Sequence, residues 1–456
     1  MPSVSKTMLF SRTRGRLRAA FLAAAGYLLV SALPAWASGA DDPVVPLLLA
    51  LAVILGAGKL GGWLAVRVGQ PAVLGELLFG IVLGNLTLLG WGAFEPMRHD
   101  PFLAVLSSLG VIVLLFEVGL ESTVGQMLRV GPSSLLVALL GVVAPFALGW
   151  GVGIWLLPES SEYVHAFLGA VLTATSVGIT ARVLRDLNES RSDEAKIILG
   201  AAVIDDILGL IILAIVSGII TAADQGSTLS FGSIAWITAK AFGFVAVAIG
   251  VGAAIAPIAL RLAARIRVPG ILLTSGLVFC FLLSYLAAMV GLAPIVGAFA
   301  AGLVLEAAFF DGFDEMRHTS LEALLHPIST FLVPIFFVLT GLRVDLSVFG
   351  DARILGLAGA LIAVAWIGKQ ACMFGVLQKG VDRLTVGLGM VPRGEVGLIF
   401  ASIGASLTIA GERVVTPATY AAVVIMVIVT TLVTPPALQW SLKRVRGRAG
   451  ASKGVS

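Results

Sequence analysis

The chain has 456 residues, of which 58% are hydrophobic and only 12% charged, with a mean hydropathy of +1.04. A soluble protein carries about twice that share of charge, so lipid rather than water is the solvent around most of this fold. The net charge of +4 is not a nucleic-acid signature, because the arginines fall mostly in short connections between apolar stretches, where they set orientation. Cys280 and Cys372 lie in separate apolar segments without a CxxC spacing, and His99, His165, His318 and His326 form no HExxH pattern. A disulfide framework and a zinc centre are therefore not indicated. With no nucleophile elbow and no phosphate-cradling glycine loop, neither an enzymatic reaction nor a cofactor is implied.

In chain order, Lys6, Arg12, Arg14, Arg16 and Arg18 precede an apolar run from Ala19 to Leu33, followed by Ala35-Trp36-Ala37. That is the pattern of a cleavable signal peptide over 1–37, with an uncleaved signal anchor as the alternative. Either way the next segment starts outside the membrane. Thirteen apolar spans follow, near 44–66, 71–91, 102–121, 133–157, 163–184, 197–220, 234–260, 270–289, 291–307, 325–341, 354–377, 384–408 and 417–439. They form one membrane domain over 44–440, ahead of a basic tail at 441–456 too short to fold by itself. An odd number of spans puts the two ends on opposite faces. Lysine and arginine concentrate in one set of alternate connections, among them Arg182, Arg185, Arg191, Lys196 and the Lys443–Lys453 tail. The other set holds only Arg98, Arg343, Arg353 and Arg413. The positive-inside rule then places the mature N-terminus outside and the C-terminus in the cytoplasm.

The two halves repeat one another. Gly75-x4-Gly80-Ile-Val-Leu in span 2 recurs 222 positions later as Gly297-x4-Gly302-Leu-Val-Leu in span 9. Phe116-Glu-Val-Gly119-Leu in span 3 recurs at the same offset as Val338-Leu-Thr-Gly341-Leu in span 10. Ser176-Val-Gly178-Ile in span 5 recurs 219 positions later as Glu395-Val-Gly397-Leu in span 12. Seven spans separate the members of each pair, an odd number, so the copies run in opposite directions. Inverted repeats mark secondary transporters, with the binding site near mid-membrane between the copies.

Span 6 carries Asp205 and Asp206 in succession. Two aspartates deep in a span cost roughly 5–7 kcal/mol on insertion scales, which makes a functional role the default. Span 11 carries one lysine, Lys369, in an apolar run. Counting from the span midpoints at ~1.5 Å per residue places both sites on the order of 5 Å to the cytoplasmic side of centre, so they can meet. Neighbouring residues on a helix point about 100° apart, so one aspartate can face Lys369 while the other faces a cation pocket. Burial disfavours charged forms and pairing favours them. A cluster coupled in this way can exchange protons, and a monovalent cation can compete for a deprotonated site. A purely structural ion pair is the alternative, although one lysine cannot neutralise two aspartates.

Span 5 holds the hydroxyl-rich run Thr173-Ala-Thr175-Ser176-Val-Gly178-Ile-Thr180, and its repeat mate in span 12 reads Val391-Pro392-Arg393-Gly394-Glu395. Discontinuous helices placed symmetrically in two halves point to a transport site, where half-helix ends supply carbonyls for a cation and partial charges that offset one another. Small-residue helix packing is the alternative; it suits Gly178 better than Arg393 or Glu395. Glu76, Glu117 and Glu121, near the cytoplasmic ends of spans 2 and 3, either line an inlet funnel or snorkel to the interface. Lys59 and Lys240 read as snorkelling residues, and Arg343 as a cap on the outer end of span 10.

Over roughly residues 44–440 the chain resembles the monovalent cation:proton antiporters, in particular the bacterial sodium/proton branch with two adjacent aspartates. The resemblance rests on Gln70-Pro-Ala-Val-Leu-Gly-Glu76, Gly119-Leu-Glu121, Thr173–Thr180, Val203-Ile-Asp205-Asp206, Gly341-Leu-Arg-Val-Asp345 and Pro392-Arg-Gly-Glu395. It implies an all-α polytopic membrane protein of about thirteen helices in two inverted repeats, with spans 5 and 12 as crossed, broken helices. It also implies that Asp206 binds the cation, that Asp205 pairs with Lys369, and that a homodimer moves a core domain by an elevator-like step. The activity implied is electrogenic exchange of Na+ for H+ across a bacterial inner membrane, with K+/H+ exchange as the runner-up and a non-transporting sensor as a third reading. Two departures stand out. Asn85 follows Gly84 where the family often has proline. The Asp-Asp pair also differs from the Gln-Asp of the glutathione-gated potassium efflux systems.

Overall fold

A computed structural model describes residues 44–121, 131–187, 189, 192–225, 231–265, 268–310 and 321–453; the leader expected over 1–37 lies outside the described residues. The helices are α1 (Val44–Arg67), α2 (Ala72–Gly84), α3 (Pro101–Glu121), α4 (Pro132–Leu156), α5 (Glu162–Thr173), α6 (Val177–Asp186), α7 (Asp193–Asp224), α8 (Phe231–Arg265), α9 (Ile271–Met289), α10 (Pro294–Phe310), α11 (Leu321–Leu342), α12 (Ala352–Gln370), α13 (Arg383–Gly389), α14 (Gly394–Ser406) and α15 (Pro417–Lys453). Among the described residues nine are long and apolar enough to cross a membrane, and α13 with α14, bent by 46°, makes a tenth. The other spans read from sequence correspond to the shorter apolar helices α2 and α10 and to α5 followed by α6, so a count of thirteen is not established. Large side chains such as Trp63, Val247 and Leu282 are exposed on the outer faces of α1, α8 and α9, the surface that a bilayer solvates.

The repeat is written in backbone contacts. At Gly80 in α2 a Cβ would collide with the carbonyl oxygen of Val338 in α11; at Gly302 in α10 one would collide with that of Phe116 in α3. Adding the repeat offset to Gly80 gives Gly302, and subtracting it from Val338 gives Phe116. Gly75 against Gly61, and Gly297 against Leu283, form a second pair of contacts with the same correspondence. Helices that associate in lipid do so through close backbone approach at small residues, which is why these glycines recur in both copies.

Two local features differ from the sequence reading. Asn85 donates from Nδ2 to Val344 O at 2.8 Å and accepts from the Leu346 amide at 2.8 Å, tying the end of α2 to the end of α11 with a side chain that proline lacks. The helix of the last span runs on beyond 439. α15 continues through the basic residues to Lys453, anchored on α13 where Arg444 Nη2 meets Asp382 Oδ2 at 2.6 Å and the Ser441 and Thr385 hydroxyls lie 2.8 Å apart. Between α14 and α15 a short hairpin pairs β1 (Thr408–Ile409) with β2 (Glu412–Arg413). Ala410 and Gly411 both have positive φ, 52° and 84°, the geometry of a two-residue hairpin turn.

Candidate cation-binding site

Two interruptions build the site. α5 ends at Thr173, and the chain is extended at Ala174 (φ −55°, ψ 140°) before α6 begins at Val177. α13 ends at Gly389, and α14 begins only at Gly394. Pro392 has no amide hydrogen and drives Val391 out of helical geometry, while Gly394 takes a left-handed φ of 41°. The two breaks lie against each other. The Ser176 amide donates to Pro392 O at 2.8 Å, Ser176 Oγ donates to Glu395 Oε2 at 2.7 Å, and Thr180 Oγ1 donates to Gly389 O at 2.6 Å. A Cβ at Gly394 would occupy the place of the Ser176 side chain.

A helix end leaves carbonyls without intrahelical partners and carries partial negative charge. Here protein cations take them. Lys369 Nζ donates to Thr173 O at 3.0 Å, and Arg393 Nη1 donates to Ala174 O at 2.6 Å. Both side chains are fully buried. Arg393 also reaches Ala365 O in α12 at 3.3 Å. Two carbonyls at the end of α5 thus accept hydrogen bonds from the chain's own lysine and arginine.

The adjacent aspartates have different surroundings. Asp205 is buried, and its Oδ1 accepts from Lys369 Nζ at 3.0 Å. Among the described residues its Oδ2 has no hydrogen-bond partner, nor has the buried Thr175 Oγ1. Asp206 is half-buried and has no hydrogen bond or ion pair among the described residues; the charges that act on it are those of Asp205, Glu395 and Lys369. A carboxylate that no protein donor neutralises, beside a paired one, can take up a proton or a monovalent cation.

One contributor escaped the sequence reading. Gly141 in α4 faces the ion pair so closely that a Cβ there would lie 2.9 Å from Cys372 Sγ, 3.3 Å from Lys369 Nζ and 3.7 Å from Asp205 Oδ1. Its only sequence signal is one glycine among 53.

A family described as sodium/hydrogen exchanger, transmembrane, matches residues 21–444. The chain belongs to the sodium/hydrogen exchanger family. The high-affinity Na(+)/H(+) antiporter NhaS3 of Synechocystis sp. is 39% identical to it over 426 residues, 86% of this chain and 89% of that one. The Na(+)/H(+)-K(+) antiporter GerN of Bacillus cereus is 36% identical over 395 residues, 86% of this chain and 95% of its own. The sodium proton antiporter MjNhaP1 of Methanocaldococcus jannaschii shares the fold, with a TM-score of 0.65 at 18% identity over 87% of this chain and 97% of that one.

The remaining acidic candidates of the exchanger divide. Glu117 and Glu121 line a 270 Å³ cavity together with Glu395, Pro71 and Phe337, and Glu117 accepts from Ser329 Oγ at 3.4 Å. Glu395 therefore borders the cavity on one side and the crossing on the other. Glu76 is buried elsewhere, near Gly58 of α1, and is not among the residues lining that cavity. Gly178 lies in the first turn of α6.

Proposed function

We propose that this protein is a secondary antiporter that exchanges Na+ for H+ across a bacterial inner membrane, with Asp206 as the carboxylate that takes cation and proton in turn. The observation that carries this reading is the contrast between the two aspartates: Asp205 is held by Lys369, whereas Asp206 has no hydrogen bond or ion pair among the described residues. Lys369 and Arg393 are engaged by the end of α5 and by Asp205, so Asp206 is the acid free to exchange its ligand. A proton and a dehydrated cation compete for one carboxylate, and that competition couples their movements. Glu117, Glu121 and Glu395 form the acidic approach, which concentrates cations near the site. Names of relatives such as NhaS3 and GerN favour sodium; the K+ in the name of GerN keeps potassium as the second reading.

In the same reading the leader is removed near Ser38, the mature N-terminus lies outside, the basic end of α15 lies in the cytoplasm, and two copies work as a homodimer. A reporter fused after residue 456 reads orientation directly, and signal from the outer side rejects it. The activity itself is tested in vesicles holding a preset pH gradient. Added Na+ dissipates the gradient, and K+ does so less well. No cation-driven proton movement with either ion would sink the proposal.

A further inference from the structure

Arg98, Arg343 and Arg413 come together at the end of the fold farthest along the chain direction of α2 and α11. With His99, Tyr420 and Ser406 they line a 370 Å³ cavity whose lining includes no carboxylate. Their hydrogen-bonding capacity is largely unused. Arg98 is half satisfied: Nη2 donates to Gly84 O, Nη1 lies 3.5 Å from Glu95 Oε1, and the buried Nε has no acceptor among the described residues. Arg343 donates from Nε to Arg98 O at 3.3 Å, and its two terminal nitrogens have no acceptor among the described residues. Arg413 has no hydrogen bond or ion pair among them at all. Its position is fixed nonetheless. The hairpin that carries it is pinned by Ala410 N donating to Asp224 Oδ1 at 2.8 Å and Val414 N donating to Leu407 O at 2.9 Å.

Guanidiniums gathered at one cavity repel each other, and the buried Arg98 Nε without an acceptor among the described residues is costly. An anion with several acceptor oxygens removes both penalties, because the planar fork of arginine matches phosphate geometry. The opposite sign prevails at the cavity lined by Glu117, Glu121 and Glu395, so the basic cluster is a local feature rather than an overall bias. We propose that the Arg98–Arg343–Arg413 cavity binds a phosphate group, supplied either as a free oxyanion or as a phospholipid headgroup. A neighbouring 560 Å³ cavity shares Arg343, Ser402 and Ser406 and reaches Ser217 and Thr221 on α7, the helix of Asp206. A bound phosphate offsets the guanidinium charge at the mouth of that space.

The test is thermal unfolding of the full purified chain in detergent at constant ionic strength. One series adds inorganic phosphate in exchange for chloride; another adds short-chain phosphatidylglycerol, with a phosphate-free glycolipid as control. The melting temperature rises saturably with at least one phosphate source. Half-saturation moves about tenfold or more to higher concentration in Arg343→Gln and in Arg413→Gln, since each loses a charge-assisted contact. Arg413 is exposed on the hairpin, so its variant folds even if that of Arg343 does not. Saturation by inorganic phosphate assigns the free ion, and saturation by phosphatidylglycerol alone assigns the headgroup. No saturable rise with either source, or an equal rise in both variants, overturns the proposal.

Discussion

Ser176 Oγ donates to Glu395 Oε2 at 2.7 Å across 219 positions of sequence, and 219 is the offset that aligns the second break with the first. Ala174 O and Arg393 Nη1, at the same separation, bond at 2.6 Å. Residues related by a two-fold touch each other only beside the axis. The crossing of the broken helices therefore lies on the pseudo-two-fold axis of the repeat, where transporters of this construction place their site.

That contact makes a first prediction. Ser176→Ala removes a hydrogen bond to a carboxylate and lowers stability by about 1–3 kcal/mol, read as a fall in melting temperature. Glu395→Gln keeps an acceptor oxygen and costs less. An Ser176→Ala protein as stable as wild type shows that the bond does not hold the crossing together.

Gly141 makes a second. A valine there drives against Cys372 and Lys369, with an overpacking cost of about 1–3 kcal/mol and displacement of the lysine from Asp205. Gly141→Val slows cation-driven proton movement more than tenfold, whereas a valine at Gly151, which has nothing within 4 Å of its Cβ position, leaves it unchanged. Equal rates in the two variants would remove Gly141 from the site.

The acidic cavity makes a third. Glu117→Gln with Glu121→Gln raises the Na+ concentration for half-maximal exchange about two- to tenfold at low salt, and the difference shrinks as added salt screens the charges. The maximal rate stays the same. A lowered maximal rate with unchanged half-saturation places both residues in the chemistry instead of the approach.

Much of this was legible in the sequence because lipid makes certain residues expensive. Asp205, Asp206 and Lys369 stand out as charges in apolar runs, and a depth count alone put the acids and the base at one level. The glycines of the repeat are visible because a backbone carbonyl sits where their Cβ would be. What stayed hidden depends on groups that every residue has. The partners of Arg393 are the carbonyls of Ala174 and Ala365, and nothing in an alanine's identity announces that its carbonyl is free. That Lys369 and Arg393 donate to the carbonyls at the end of α5 was therefore not legible in the sequence. The span count was obscured where α5 and α6 each fall short of a full crossing, and the end of α15 because a helix can run on past its apolar stretch, here with Ser441 and Arg444 bonded to Thr385 and Asp382.

The buried pair makes a fourth prediction. If exchange moves two protons for each Na+, one net charge crosses per cycle, and the membrane potential does about 2.3 kcal/mol of work per charge per 100 mV. In proteoliposomes with the potential clamped by a permeant ion that is not a substrate, the wild-type rate follows the imposed potential. Lys369→Gln, which removes the partner of Asp205, exchanges without that dependence. A wild-type rate indifferent to potential would leave Asp205 and Lys369 as a structural pair only.

The central claim is that Asp206 carries the cation, and one measurement bears on it most directly. Asp206→Asn preserves shape and removes the charge, so the protein folds and enters proteoliposomes as wild type does. Na+ added to vesicles holding a pH gradient moves protons through the wild-type protein and moves none through Asp206→Asn. Appreciable Na+-driven proton movement through the folded variant contradicts the assignment.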